Sequence, residues 1–247
     1  KNITLPGADI AAKQPWRIAM AFLIKHNLAE LAEDMFSEQQ GFGLVKQMIT
    51  KEINCPTTSS AGRLFDLAAA LLGLCDVNSF EAEAAMLLES AAASGQVVCT
   101  EKLFIISDHE GGEDDLVNQL DFTPLLLALP EMKPNDGAAT FHYQLALGLT
   151  EWLVTLVKIN SQNECKKVVL SGGCFLNAQL TTSVKKNLSE QGFTVFSAKQ
   201  VSPNDSSLAL GQAWIAIEQL APNEKEPKEN SKLNKEFSQH KSTNQEG

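Results

Sequence analysis

The sequence predicts an α/β fold, and two observations support this prediction. Short apolar runs at residues 168–170 and 193–196 have the β-branched character of buried strands, and a helical pattern follows each of them. Turn residues are present at both strand-to-helix junctions, and in α/β proteins the binding sites commonly lie at such junctions. With 44% hydrophobic residues among 247, the chain has enough apolar side chains for a packed core.

The front of the chain is predicted to be helical. Apolar residues recur there at three- and four-residue spacing, which places them on one buried face of each helix. The predicted helices are residues 15–26, two helices within 27–53 that separate at 41–43, 59–74 and 81–93.

The middle of the chain mixes strand and helix signals. Two short strands are predicted at 97–99 and 103–107, because both runs are apolar and rich in β-branched residues. An acidic, glycine-containing loop is expected at 109–115. A short helix or strand should follow at 121–128, and the longest helix at 137–160.

The last ordered part begins with the turn Ser-Gly-Gly-Cys-Phe-Leu-Asn at residues 171–177. Its two glycines let the backbone turn sharply and approach a ligand closely. The helix expected at 178–190 directs its amino end at this turn, which favours anions. Cap residues at 202–205 should start a second helix. Apolar content collapses at residue 222, so we expect one domain over 1–221 and a disordered polar tail over 222–247.

Composition excludes several classes of function. A net charge of −10 disfavours nucleic acid as a main partner, because phosphate binding requires a basic surface. We expect no membrane span, since no apolar run approaches the roughly 18 residues that a span needs. Five cysteines without CxxC spacing are typical of reduced thiols, which predicts a cytoplasmic protein.

Five ordered motifs carry a resemblance to a known family. They lie at residues 13–21, 58–66, 141–146, 171–177 and 203–213. Together they resemble the C-terminal part of the HypF carbamoyltransferases of nickel–iron hydrogenase maturation, over residues 1 to about 220. A more distant likeness is to the tRNA threonylcarbamoyl transfer enzyme TsaD. The resemblance implies an ASKHA (actin-like, RNase H-like) lobe with additional helices, incomplete relative to the whole fold and cut from a longer polypeptide.

The resemblance also implies a reaction. An upstream domain would use ATP to activate carbamoyl phosphate as carbamoyl-adenylate. The actin-like domain would then pass the carbamoyl group to the C-terminal cysteine of HypE, as a precursor of the hydrogenase cyanide ligands. Three alternatives stay open: an ATP-binding actin-like enzyme without carbamoyl chemistry, an O-carbamoyltransferase, and an inactive module that docks a partner.

Nucleotide contacts are implied at two places. In the glycine turn, the amides of Gly172 and Gly173 would approach the phosphate or ribose, and Asn177 would hydrogen-bond the nucleotide. A structural interpretation of the glycines is a tight turn without a ligand.

The second place is the helix at 59–74 and the start of the next one. Gly62 and Asp66 resemble the adenosine-contacting positions of TsaD, with Asp66 accepting hydrogen bonds from the ribose hydroxyls. Asp66 could equally be a solvated carboxylate paired with Arg63. Glu81 resembles a family residue of the cleft, or it is a carboxylate favoured by the helix dipole.

The resemblance implies that Asp205 is one ligand of a metal site for Fe²⁺, Zn²⁺ or Mg²⁺. The alternative interpretation is that Asp205 caps the amino end of a helix. The family's other ligands are two histidines four residues apart. This chain has no such pair, since its histidines are His26, His109, His142 and His240. We expect His142 to be a packed residue and Cys174 to be a small hydrophobe, and we assign no thiol chemistry to Cys174.

Overall fold

Helices make up more than half of the residues that the structure describes, as the apolar periodicity predicts. The computed structural model describes residues 2–111, 115–159 and 166–220, so the predicted tail at 222–247 lies outside the described residues. The predicted helices are confirmed, and the break within 27–53 falls at 37–41. The helices of the front part are α1 (Asp9–Lys13), α2 (Pro15–Lys25), α3 (Ala29–Phe36), α4 (Phe42–Thr50), α5 (Ala61–Leu71) and α6 (Glu83–Ala92).

The middle of the chain departs from two predictions. The strand at 97–99 is wrong, because this segment is irregular and the Val98 amide donates to Thr140 Oγ1 at 3.1 Å. The loop at 109–115 is also wrong where it is described, because an antiparallel hairpin runs through it. A short antiparallel pair near the start of the chain consists of β1 (Ile3–Thr4) and β2 (Thr57–Thr58). The strands of the hairpin are β3 (Ile105–Gly111) and β4 (Asp115–Asp121). The segment that follows is a helix, α7 (Thr123–Ala128).

A parallel β–α–β unit stands at the end of the first compact unit of the chain, as the sequence predicts. Strands β5 (Lys167–Leu170) and β6 (Thr194–Ser197) pair in parallel with Val168 opposite Val195. Helix α9 connects them and spans Ala178–Glu190. Its buried face carries Leu180, Val184 and Leu188, and the helix packs against β6.

The core gathers around the longest helix, which follows α7 and is α8 (Pro134–Ile159). It packs against α6 and α9, and α5 packs against α2 and α6. Phe65 of α5 meets Phe141 of α8 edge-to-face with ring centroids 5.1 Å apart, and both rings are buried. Each such buried aromatic side chain contributes about 2–3 kcal/mol. This packing fixes α5 beside α8 and thereby positions the site.

A second compact unit begins at Ser206 and contains α10 (Leu208–Leu220), whose residues are all exposed. A 3₁₀ turn, Asp205–Ser207, precedes this helix. None of the described helices combines the length and apolar character that crossing a membrane requires.

Candidate functional site

The turn after β5 has a backbone that requires glycine at its first position. Gly172 has φ 107° and ψ 153°, a conformation that is essentially restricted to glycine. A 3₁₀ turn then runs from Gly173 to Leu176 and leads to α9. We call residues 171–177 the glycine turn.

The segment that precedes Asp205 lies directly against the glycine turn. The Gly172 amide donates a hydrogen bond to the Pro203 carbonyl at 2.8 Å. A Cβ built on Gly173 would lie 3.8 Å from Cβ of Asn204. The two turns that follow β5 and β6 therefore meet at the carboxyl end of the parallel strands, where α/β proteins bind ligands.

A cleft of about 960 Å³ opens beside the glycine turn, which is large enough for a nucleotide-sized ligand. Its walls come from the glycine turn, the start of α5, the end of α2, the end of β4 and one face of α8. The wall is mostly apolar. Residues that line it include Phe22, Lys25, Ser59, Ser60, Phe65, Phe122, Leu145, Trp152, Gly172, Gly173 and Cys174.

Asn177 is buried at the end of the glycine turn, with 8% of its surface exposed. Its side-chain oxygen accepts a hydrogen bond from the Leu180 amide at 2.8 Å and so caps α9. Its amide nitrogen lies 2.9 Å from Nε2 of His142 on α8. The nucleotide contact of Asn177 stays a prediction, since both ends of the amide already have a protein partner.

The amino end of α9 is occupied by a carboxylate of the protein itself. Glu89 of α6 accepts from the Ala178 amide at 2.6 Å and from the Gln179 amide at 3.4 Å. This anion satisfies the orphan amides and complements the helix dipole. Glu89 therefore fills the place where the sequence favours an external anion. No sequence signal identifies it, because it lies 89 residues from Ala178.

Asp66 and Arg63 form a buried ion pair on α5. The guanidinium nitrogen lies 2.7 Å from the carboxylate, whose residue is 1% exposed. Neither of these two atoms has a hydrogen bond of good angle within the described residues, so the contact is mainly electrostatic. Burial raises the pKa of Asp66 above its ordinary 3.8, although Arg63 opposes that shift. Asp66 thus points into the protein, and its ribose contact stays a prediction.

Cys174 has the environment expected of a packed thiol. Burial raises its pKa above the ordinary 9.0, although the nearby Arg63 lowers it. A higher pKa lowers the thiolate fraction at neutral pH. The four cysteines in the described residues are free thiols: Cys55, Cys75, Cys99 and Cys174.

The other predicted site residues are Gly62, Glu81 and Asp205. Gly62 is the second residue of α5, directly after the cleft residue Ala61. Glu81 is exposed in the turn before α6. Asp205 is exposed, and the described part of the chain holds no group of three or more His, Cys, Asp and Glu that could bind a metal ion. The metal contact of Asp205 therefore stays a prediction for the complete protein.

Comparison with known protein families gives the class of protein to which this fold and cleft belong. Residues 1–212 match the family model described as "Carbamoyltransferase, Kae1-like Domain, second subdomain". The chain belongs to this carbamoyltransferase family, which confirms the resemblance that the sequence motifs carry.

The individual relatives are HypF proteins. Carbamoyltransferase HypF2 of Cupriavidus necator is 38% identical over 243 residues, which covers 90% of this chain and 30% of HypF2. A HypF homolog of the same organism is 34% identical and covers 90% of this chain and 58% of that protein. The crystal structure of full-length HypF in its phosphate- and nucleotide-bound form has a TM-score of 0.72 and 28% identity, over 90% of this chain and 29% of that one. The chain thus spans about a third of HypF2, and the predicted partial α/β fold is confirmed.

Proposed function

We propose that this chain forms the back part of the carbamoyl-transfer domain of a HypF-type enzyme in [NiFe]-hydrogenase maturation. The observation that supports this most strongly is the cleft beside the glycine turn, in a chain of the carbamoyltransferase family. The cleft has the volume for a nucleotide and lies at the carboxyl end of parallel strands. The similar HypF structure was obtained with phosphate and nucleotide bound.

The proposed reaction moves a carbamoyl group from oxygen to sulfur. The thiolate of the C-terminal cysteine of HypE attacks the carbamoyl carbon of carbamoyl-adenylate, which ATP and carbamoyl phosphate supply. A C–S bond forms, the C–O bond to the phosphate breaks, and AMP leaves with the bonding electrons. The thiol proton is released to solvent. The site would contribute orientation and stabilisation of the departing phosphate.

In this proposal the glycine turn and the start of α5 hold the nucleotide. Gly172 and Gly173 let the backbone approach the phosphate or ribose, and Gly62 does the same at the start of α5. Asn177, Asp66 and Glu81 are the proposed polar partners. A divalent metal (Fe²⁺, Zn²⁺ or Mg²⁺) bound through Asp205 is proposed for the complete protein alone, and no step here depends on it.

Transfer of labelled carbamoyl to HypE tests the proposal. The complete protein, ATP and carbamoyl phosphate labelled at carbon should label HypE, and HypE with its C-terminal cysteine changed to alanine should stay unlabelled. ATP hydrolysis without labelling would favour an ATP-binding enzyme of another kind. Label on an oxygen of a different acceptor would identify an O-carbamoyltransferase, and binding of HypE without either reaction would identify a docking module.

A further inference from the structure

His142 lies beneath the cleft and contacts two of its walls without lining it. The residue is 3% exposed and sits on α8. Its ring meets the ring of Phe65 edge-to-face at 5.7 Å, and Phe65 lines the cleft from α5. Its Nε2 lies 2.9 Å from the side-chain nitrogen of Asn177, at the end of the glycine turn.

The hydrogen bonds of His142 have one consistent direction. Nδ1 lies 2.8 Å from the Ala138 carbonyl, which can only accept, so Nδ1 carries the proton. Neutral imidazole then has a bare Nε2, which accepts from the NH₂ group of Asn177. The Asn177 oxygen is thereby turned towards the Leu180 amide, which it meets at 2.8 Å. The imidazole thus decides which way the Asn177 amide faces.

Asn177 transmits this orientation to the cleft. Its backbone amide donates to the Cys174 carbonyl at 3.2 Å, and Cys174 lines the cleft together with Gly172 and Gly173. If the amide turned over, two donors would face each other at Leu180 and the cap of α9 would be lost. From this geometry we infer that neutral His142 is a positioning residue, which holds the glycine turn in its ligand-binding shape through Asn177. This inference rests on the proposed function.

The carboxylate of Glu89 on α6 acts electrostatically on His142. Burial lowers the pKa of His142 below its ordinary 6.5, although the Ala138 bond and Glu89 act in the opposite direction. From the other elements, Phe65 and Asn177 present an aromatic ring and an amide. The neutral form that the hydrogen bonds require is therefore also the form that burial favours.

Two conservative variants of the complete protein distinguish the roles of the two ring nitrogens. In His142→Gln, the side-chain oxygen reaches the place of Nε2 and can accept from Asn177. In His142→Asn, the shorter side chain reaches only the place of Nδ1, so Asn177 loses its acceptor. Thr150→Val is the matched control, because Thr150 is also buried on α8 and its hydroxyl bonds only the Ala146 carbonyl of its own helix.

Binding of AMP, measured by calorimetry, is the test. We expect His142→Asn to weaken AMP binding by about tenfold or more, His142→Gln to recover most of the loss, and Thr150→Val to bind as the wild type does. Equal losses in the Gln and Asn variants, or none in either, would overturn the inference while the proposed function stands. Failure of the wild type to bind AMP would overturn the nucleotide site, and this inference with it.

Nitrogen NMR shifts of the imidazole supply a measurement that needs no variant. We expect the neutral tautomer with its proton on Nδ1, retained when AMP binds. A proton on Nε2 would reverse the amide of Asn177 and refute the inference even if the substituted chains do not fold.

Discussion

The two sides of the cleft use opposite kinds of buried polar group. On the α5 side, Arg63 and Asp66 form an ion pair within one helix, and their closest atoms lack well-directed hydrogen bonds. On the α8 and α9 side, the uncharged side chains of His142 and Asn177 are joined to each other, to the Ala138 carbonyl and to the Leu180 amide by hydrogen bonds of 2.8–2.9 Å.

The two kinds of polar group have different consequences for the stability of the fold and for the geometry of the cleft. A buried charge depends on its partner for stability, because an uncompensated ion in the interior costs several kcal/mol. A row of hydrogen bonds between neutral groups leaves no buried charge when one partner is lost. Its donors and acceptors nevertheless fix one geometry across three segments of the polypeptide. We therefore expect loss of one charge on the α5 side to act mainly on stability. On the glycine-turn side, changes that the backbone conformation tolerates should act mainly on ligand binding.

Arg63→Met should produce the largest loss of stability. It leaves the Asp66 carboxylate buried without its cation, and we expect the free energy of unfolding to fall by about 3 kcal/mol at pH 7. Arg63 is 25% exposed, which places the effect at the lower end of the usual range. Urea unfolding measures it.

The double variant Arg63→Met with Asp66→Asn controls for the lost packing of the long side chain. It removes both charges, so most of the stability should return. The single variant should also recover as the pH falls, because protonation of Asp66 removes the buried charge. Equal losses in the single and double variants would contradict an electrostatic role for the pair.

Gly172→Ala should produce the next largest effect, on the glycine-turn side. A Cβ at this position would meet no atom within 4 Å, so the expected loss comes from the backbone alone. With φ at 107°, we expect a cost of about 1–3 kcal/mol in thermal or urea unfolding. An unchanged stability would show that the turn relaxes to another conformation.

Local signals predicted most of the elements on both sides, but not the contacts between them. Strand, glycine turn and helix at 168–190 follow each other in sequence, so periodicity and turn chemistry suffice there. The predicted strand at 103–107 overlaps the start of β3, but the rest of the hairpin β3–β4 was not predicted. Its backbone hydrogen bonds come from the partner strand, and its polar composition resembles that of a loop. Glu89 at the amino end of α9 and His142 beneath Asn177 join segments 89 and 35 residues apart. Only the folded chain reveals them.

Lowering the pH should reduce the free energy of unfolding through His142, and this reduction should be smaller than the effects of Arg63→Met and Gly172→Ala. Because the folded pKa of His142 lies below 6.5, the unfolded chain binds the proton first as the pH falls. Stability is therefore complete above pH 6.5 and declines below it until the folded pKa is reached. One proton changes it by at most about 1.4 kcal/mol per pH unit. His142→Gln should flatten this part of the curve, and an unaltered slope would assign the decline to other groups.

Gly173→Ala should change stability least and ligand binding most, which would separate the two roles completely. The added methyl group would meet Asn204 at 3.8 Å, an ordinary van der Waals contact, and the backbone of Gly173 does not have a positive φ. We expect the free energy of unfolding to stay within about 0.5 kcal/mol of the wild type. If a ligand approaches this backbone closely, the same methyl group blocks it, and AMP binding and carbamoyl transfer should both be lost. Gly43→Ala is the control, since Gly43 of α4 also lacks a positive φ, its added Cβ would meet no atom within 4 Å, and it does not line the cleft. Full AMP binding by Gly173→Ala would remove the glycine turn from the nucleotide site.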